Sequence, residues 1–336
     1  MSLRSRRLGW ILVAISLLLH LFTVYSYARQ PDAVAAFTVI PIWLWGGFGL
    51  LLSSVAFYFL RASLSLIMSA VWAVTLLVGA DEAKVLTNLG KPPPLPGKAE
   101  PYEGKPLLRV ITMNCAIFVF GNPAPDIAAW EPDIVLLQDV YPDQVRQIAD
   151  VLYHGLGDYR THLTNGVVTR WKIQSEIRDP ARRNQQIGIL LSDGSRIEVV
   201  NVHLGSATTN LRLWTKSAWF EHSNNRVLRQ HELSLTRQIL ERTTDFPDTP
   251  TIFGGDFNAP ASDIVHRQLS RDFVDSFSAA GTGWGDTYQR RFPIIRIDHL
   301  YATRHFIPIR CRAVTTRHSD HRMVVTDYLT GPGIKP

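Results

Sequence analysis

Three stretches without a single Lys, Arg, Asp or Glu occupy residues 8–28, 33–60 and 62–80. A soluble core has no use for three such runs in succession, whereas about 20 consecutive apolar residues are what one helix needs to cross a bilayer. The pattern predicts a membrane region at 1–85 with about three transmembrane helices. A secretory signal peptide is the rival reading of the first run, because Ser5, Arg6 and Arg7 precede it and Ser26-Tyr27-Ala28 resembles a cleavage site. The run is, however, longer than the apolar segment of such peptides. Arg61 leaves almost no loop between the second and third runs, which therefore read as two spans, a re-entrant pair or one broken helix. His20, alone in the first run, is read as facing a neighbouring helix rather than relaying protons.

Arg4, Arg6 and Arg7 predict a cytoplasmic N-terminus, Arg61 returns to the same side, and an odd number of spans leaves the remainder on the outer face of a cytoplasmic membrane. The chain holds 35 Lys and Arg against 29 Asp and Glu. Eight of the basic and four of the acidic residues lie in the first hundred positions, leaving 27 and 25 for the rest. The positive excess thus sits where membrane topology puts it and argues against a DNA-binding face. Lys91 to Gly97, read KPPPLPG, predicts a stiff extended spacer away from the bilayer, within a Pro-rich linker at 86–104. Residues 105–330 suffice for one domain with a full core.

In that domain, short β-branched runs at 108–113, 134–137, 186–191, 197–202, 251–253 and 294–297 predict strands. Helical spacing appears at 125–130, 142–152 and 226–242, the last with Val227, Leu228, Leu233, Leu235, Ile239 and Leu240 on its apolar face. Such alternation indicates mixed sheets covered by helices. The strands share one property: nearly every one stops at a carboxylate, an amide or a histidine. Asn114, Asp139, His203, Asp256 with Asn258, and Asp298 follow five of them, and Ser319-Asp320-His321 precedes Met323-Val324-Val325. Six such endings predict one polar rim, because hard divalent cations require oxygen ligands and phosphates require amide, imidazolium and metal contacts. Gly254-Gly255 would bring the backbone of Asp256 and Asn258 close to a ligand.

On Val110 to Asn114, Pro132 to Val140, Asn201 to Leu204, GDFN at 255–258, IDH at 297–299 and SDH at 319–321, the sequence resembles the endonuclease/exonuclease/phosphatase superfamily. The resemblance spans nearly all of 101–329 and none of the membrane region. It implies a four-layer α/β sandwich, two packed mixed β-sheets flanked by helices, that cleaves phosphoester bonds with Mg²⁺, or Mn²⁺ in its place. It also implies that Asn114 and Asp139 bind the metal, with Asp320 able to join them. Asp256, with Asn258 beside it, would orient or deprotonate the attacking water. His321 would contact the phosphate or act as base, with Asp298 fixing its tautomer, and His203 would be a second phosphate contact. Asp139 departs from the superfamily, which places a glutamate there.

The expected protein is a membrane-tethered phosphoesterase acting on a lipid headgroup, a small molecule or nucleic acid. An exported nuclease and a catalytically silent scaffold for a phosphorylated ligand are the alternatives, and no protein partner is expected. Cys115 and Cys311 read as buried thiols, His318 as a loop residue, and His299 as turned away from the rim by strand alternation. Arg290, Arg291 and Arg296 read as a basic loop, either solvated or gripping a phosphate. Trp214, Trp219 and Phe220 read as a packed insertion or as a surface touching substrate or bilayer.

Overall fold

The computed structural model describes residues 3–178, 183–206, 212–331 and 334. It begins with helices α1 (Leu3–Arg29), α2 (Ala35–Thr38), α3 (Ile42–Leu60), α4 (Ser63–Gly79) and α5 (Asp81–Lys84). Helices α1 and α3 are each long and apolar enough to cross a membrane. The third run qualifies only when α4 is taken with its continuation to Asn88, past a 72° bend. The break therefore falls after the third run and not at Arg61, where a left-handed residue at φ 50° turns the chain tightly enough to lay α4 antiparallel to α3. Small residues let the helices approach. Trp72 lies over Gly49 and Leu76 over Gly46, where a Cβ would collide with either side chain. Polar groups then join the helices: Trp72 Nε1 donates to Ser16 Oγ at 3.0 Å, Ser69 Oγ to Ser53 Oγ at 3.0 Å, and His20 Nε2 lies 2.8 Å from Thr75 Oγ1. His20 thus faces a neighbouring helix, as expected. Leu60 packs where a Cβ of Gly9 would fall, so Arg4, Arg6, Arg7 and Arg61 share one end of the bundle.

The rest is a sandwich of two six-stranded sheets. Its strands are β1 (Leu107–Asn114), β2 (Ile134–Gln138), β3 (Asp158–His162), β4 (Asn165–Thr169), β5 (Lys172–Arg178), β6 (Gln185–Leu190), β7 (Arg196–His203), β8 (Thr251–Asp256), β9 (Val274–Asp275), β10 (Asp298–Ala302), β11 (Phe306–Thr315) and β12 (Arg322–Thr330). One sheet runs β11-β12-β1-β2-β4-β3 and the other β5-β6-β7-β8-β10-β9. Each has a parallel pair at its centre, β1 with β2 and β7 with β8. Helices α6 (Ala124–Ala128) and α7 (Pro142–Tyr153) cover the first sheet, α8 (Lys216–Thr243) covers the second, and α9 (Ser276–Ala280) follows β9.

Alternation along the central strands produces the layers. Leu108 and Val110 of β1 meet Val199 and Ile252 between the sheets, while Ile111 and Met113 turn out toward Val145 and Ile148 of α7. Val200, Val202 and Phe253 likewise turn toward Leu233 and Leu240 of α8. Residues 294–297 lie outside the strands, since β10 begins at Asp298.

The bundle rests on one pole of this sandwich. Gln30 bonds Ser262 O, Arg267 Nη2 donates to Ala28 O at 2.9 Å, Arg226 bonds Thr38, and the rings of Trp43 and Trp284 lie 5.9 Å apart. Segment 91–97 is not a free spacer. Lys91 Nζ donates to Ala279 O at 2.7 Å, Gly97 N to Ala129 O at 2.7 Å, and the carbonyl of Leu95 accepts from Arg109 Nη1 at 2.9 Å. The chain from Asp81 onward is thus strapped along the sandwich and enters β1 at the pole opposite the bundle. Arg296 is also neither solvated nor phosphate-gripping: it is buried, with Nη2 2.6 Å from Asp81 and 2.7 Å from Asp275.

Candidate functional site

The C-terminal ends of β1, β2, β7 and β8 and the N-terminal ends of β10 and β12 meet at the pole that carries the bundle. Strand register explains the gathering: Asn114 lies beside Gln138 in one sheet, and His203 and Asp298 each lie beside Asp256 in the other. Beneath the rim the sheets are pinned together by buried amides, with Gln138 Nε2 donating to Asn201 Oδ1 at 2.7 Å and Asn201 Nδ2 to the carbonyls of Leu137 and Gly166 at 2.9 Å. Gly255, at φ 137°, brings the backbone so close to Val202 O that any side chain would collide with it.

The resulting cavity, about 540 Å³, is lined by Asn114, Asp139, His203, Asp256, Asn258, Asp320 and His321, together with Arg183, Glu232 and Tyr288. Asp298, the remaining predicted residue, lies beneath it, its Oδ2 2.9 Å from His321 Nδ1. Asn114 bridges the two sheets, donating from Nδ2 to Asp256 at 3.0 Å and to Asp139 at 3.2 Å. Asp256 Oδ1 accepts from Asn258 N at 2.8 Å, and Asn258 Nδ2 donates to Leu204 O at 2.9 Å. The main chain of Asp320 is held by Arg290 N, 2.7 Å from its carbonyl. Asp139 and Asn258 both occupy the left-handed region, at φ 44° and 49°, a strain that concentrates at sites where a side chain must be aimed.

Burial drives the titration behaviour. It raises the Asp256 carboxyl to about 7, with Asp298 adding like-charge repulsion. Burial opposes the charged form of His321 too, but the Asp298 carboxylate outweighs it and lifts the imidazole to about 10. His203 goes the other way, lowered to about 4 by burial despite the nearby Asp139. Two histidines of one cavity are thereby set in opposite protonation states near neutral pH, a division that suits distinct proton-handling roles. Arg183 Nη1, 3.1 Å from His203 Nδ1, gives the neutral ring a donor at that nitrogen.

The donor set fits a hard divalent cation: carboxylates of Asp139, Asp256 and Asp320 and the amide of Asn114, with no thiol among them. Asp298 Oδ1 is buried without a hydrogen-bond partner, and Asp256, Asp298 and His321 hold their ligand atoms within 4.8 Å of one another. In that trio His321 Nδ1 is paired with Asp298 Oδ2, and Asp298 Oδ1 is left without a partner.

Arg183, Glu232 and Tyr288 were missed from sequence. Arg183 alone left a signal, since Gln185 pairs with Asn201 and two residues back along that antiparallel ladder stands opposite His203. His299 points away, its Nε2 3.0 Å from Arg296 O. His318 pairs on the surface with Asp126, and Cys115 and Cys311 are buried free thiols.

A sequence profile described as the Endonuclease/Exonuclease/phosphatase family matches residues 117–321. No curated protein sequence matches the chain. Among solved structures, a mannosyl-6-phosphatase of Bacteroides thetaiotaomicron superposes with a TM-score of 0.54 at 17% identity, over 66% of this chain and 99% of that one. An endonuclease/exonuclease/phosphatase family protein of the same organism gives 0.55 at 15%, over 68% and 97%. D. rerio TDP2, complexed with single strand DNA product, gives 0.50 at 15%, over 67% and 99%. At these identities the likeness is one of fold.

Proposed function

Because the chain belongs to the endonuclease/exonuclease/phosphatase family, whose members are metal-dependent hydrolases of phosphoester bonds, we propose that it is a membrane-tethered phosphoesterase using Mg²⁺, or Mn²⁺ in its place, and direct attack by water. Asn114 and Asp139, joined by Asp320, would hold the cation. When bound, it neutralises the charge that builds on the phosphoryl and leaving oxygens.

The chain's own residues supply the rest. Asp256, fixed by Asn114 and by the Asn258 amide, aims a water and takes its proton, a task suited to a carboxyl poised near 7. His321 is committed to Asp298 through Nδ1, so Nε2 is free to donate to a phosphoryl oxygen. With His203 Nδ1 accepting from Arg183, its Nε2–H is a second contact, and Asn258 adds a third polar group. Four arginines at the end of the bundle away from the sandwich support a catalytic domain on the outer face of a cytoplasmic membrane.

The observation that carries this reading is the bridge from Asp139 through Asn114 to Asp256, which unites the two sheets at one cavity. The test is p-nitrophenolate release from bis(p-nitrophenyl) phosphate by the full chain in detergent. Turnover with Mg²⁺ that chelation abolishes is expected. No turnover with Mg²⁺ or Mn²⁺, with retained binding of a phosphorylated ligand, would mark a silent scaffold; a strong preference for plasmid DNA would mark a nuclease.

A further inference from the structure

Helix α8 buries Ala218, Leu233 and Leu240 against the sandwich, but it also turns polar groups inward and apolar ones outward. Its buried side includes His222, Arg226, Arg229 and Thr236, while Val227 and Phe220 point outward, Phe220 being 69% exposed. Trp214, just before the helix, is 83% exposed. A second such surface lies on the segment before β10, where Phe292 is 84% exposed beside Ile294 and Trp284. Trp284 Nε1 donates to Pro293 O at 2.9 Å, which ties the tip of that segment to its base.

Both segments flank the catalytic cavity and both touch the helix bundle. Ser206 and Glu232 line the cavity from the α8 side, where Arg229 holds Ser206 O at 3.1 Å, and Tyr288 lines it from the other. On the bundle side, Arg226 bonds Thr38, Gln230 Nε2 donates to Asp32 at 3.3 Å, and Trp284 packs on Trp43 at the start of α3. The outward apolar side chains therefore stand at the level where α1 ends and α3 begins, on either side of the cavity mouth. Aromatic and aliphatic groups at that level partition into the headgroup region of a bilayer, and continuity with the two membrane-spanning helices selects a lipid surface as their partner.

From this we infer that the cavity opens at the bilayer interface and takes phosphoesters carried on lipids of the same leaflet, with Trp214, Phe220, Val227, Trp284, Phe292 and Ile294 seated among the headgroups. The inference rests on the hydrolytic reading above. In the reaction a P–O bond forms to water as its proton passes to Asp256, and the P–O ester bond breaks, its oxygen departing as an alcohol or alkoxide that takes up a proton.

Two phosphodiesters with one leaving group separate the possibilities: methyl p-nitrophenyl phosphate in solution and hexadecyl p-nitrophenyl phosphate in nanodiscs holding the full chain and Mg²⁺. The hexadecyl ester is expected to show a kcat/KM about tenfold or more above the methyl ester. Phe292→Glu and Trp214→Ser are each expected to reduce hexadecyl turnover about tenfold, chiefly through KM, with methyl turnover unchanged. Equal kcat/KM for the two esters, or hexadecyl turnover indifferent to both substitutions, overturns the inference and leaves the hydrolytic reading standing. Hydrolysis of neither ester with Mg²⁺ or Mn²⁺ overturns the hydrolytic reading itself. A nitroxide on Phe292→Cys supplies a readout without catalysis, since both native cysteines are buried. Relaxation by dissolved oxygen in the lipid is expected. Relaxation mainly by a water-soluble nickel chelate, or spin coupling between two copies, overturns the inference.

Discussion

The two poles of the sandwich bury the same kinds of charged group and treat them oppositely. At the pole where β1 begins, Arg109 is 1% exposed, yet its guanidinium forks onto Asp327 at 2.6 and 2.9 Å and also reaches Trp130 O at 2.8 Å and Leu95 O at 2.9 Å. Its own N–H donates to Asp133 at 2.7 Å. None of the polar side-chain atoms of Arg109, Asp133 or Asp327 is orphaned. At the other pole Asp256 and Asp298 repel each other, Asp298 Oδ1 has no partner, and two flanking residues hold left-handed backbone. Saturated charge fixes a structure, whereas unsatisfied charge held in place is ready for a ligand.

The largest test of this contrast is Asp256→Asn together with His321→Ala, each expected to lower kcat/KM by about a thousandfold or more. Thermal melting of Asp256→Asn should not fall, because the repulsion from Asp298 is relieved. Arg109→Met should do the reverse, costing about 3–5 kcal/mol in denaturant unfolding by stranding Asp327, with kcat per folded molecule retained. An activity loss at Arg109 as large as that at Asp256 would erase the distinction between the poles.

Asp298→Asn sharpens it further. In metal-free protein His321 should titrate near 10 by NMR, and removing the carboxylate should lower that value, because burial is then opposed only by the more distant Asp256 and Asp320. As the folded value is the raised one, the pair's contribution to stability is complete below about 6.5 and disappears as pH rises through about 10. Asp139→Glu restores the longer side chain and should tighten Mg²⁺ binding several-fold by calorimetry. The smallest effect belongs to His318→Ala, whose partly exposed pair with Asp126 should be worth less than about 1 kcal/mol, with kcat/KM unchanged.

The rim was legible because its residues occupy strand ends, where a short apolar run stopping at Asn114 or Asp256 needs no long-range knowledge; Asp298 was reached from the run 294–297, which forms no strand, and it opens β10 instead. Arg183 and Tyr288 come from segments with no such punctuation, and only pairing register or tertiary packing delivers them. The start of α8 was missed for a different reason. The helix begins at Lys216, ten residues before the apolar spacing suggests, because its first turns bury Ala218, His222 and Arg226. Val227 and Leu228, read as core, are exposed. Segment 91–97 misled by composition, since prolines extend a chain without deciding what it lies against, and here the carbonyls of Leu95 and Gly97 cap Arg109.

That route has a mechanical consequence. The chain leaves the bundle beside the cavity, passes Ser278 and Ala279, and joins the sandwich at its remote end. It is laid like a rope passed beneath a load and made fast on the far side. A pull that lifts the sandwich off the bundle loads the Asp81–Arg296 pair first, then Asn88 and Lys91, and the Arg109 cluster last, at the root of a central strand. Lengthening the rope would add slack without turning the load over.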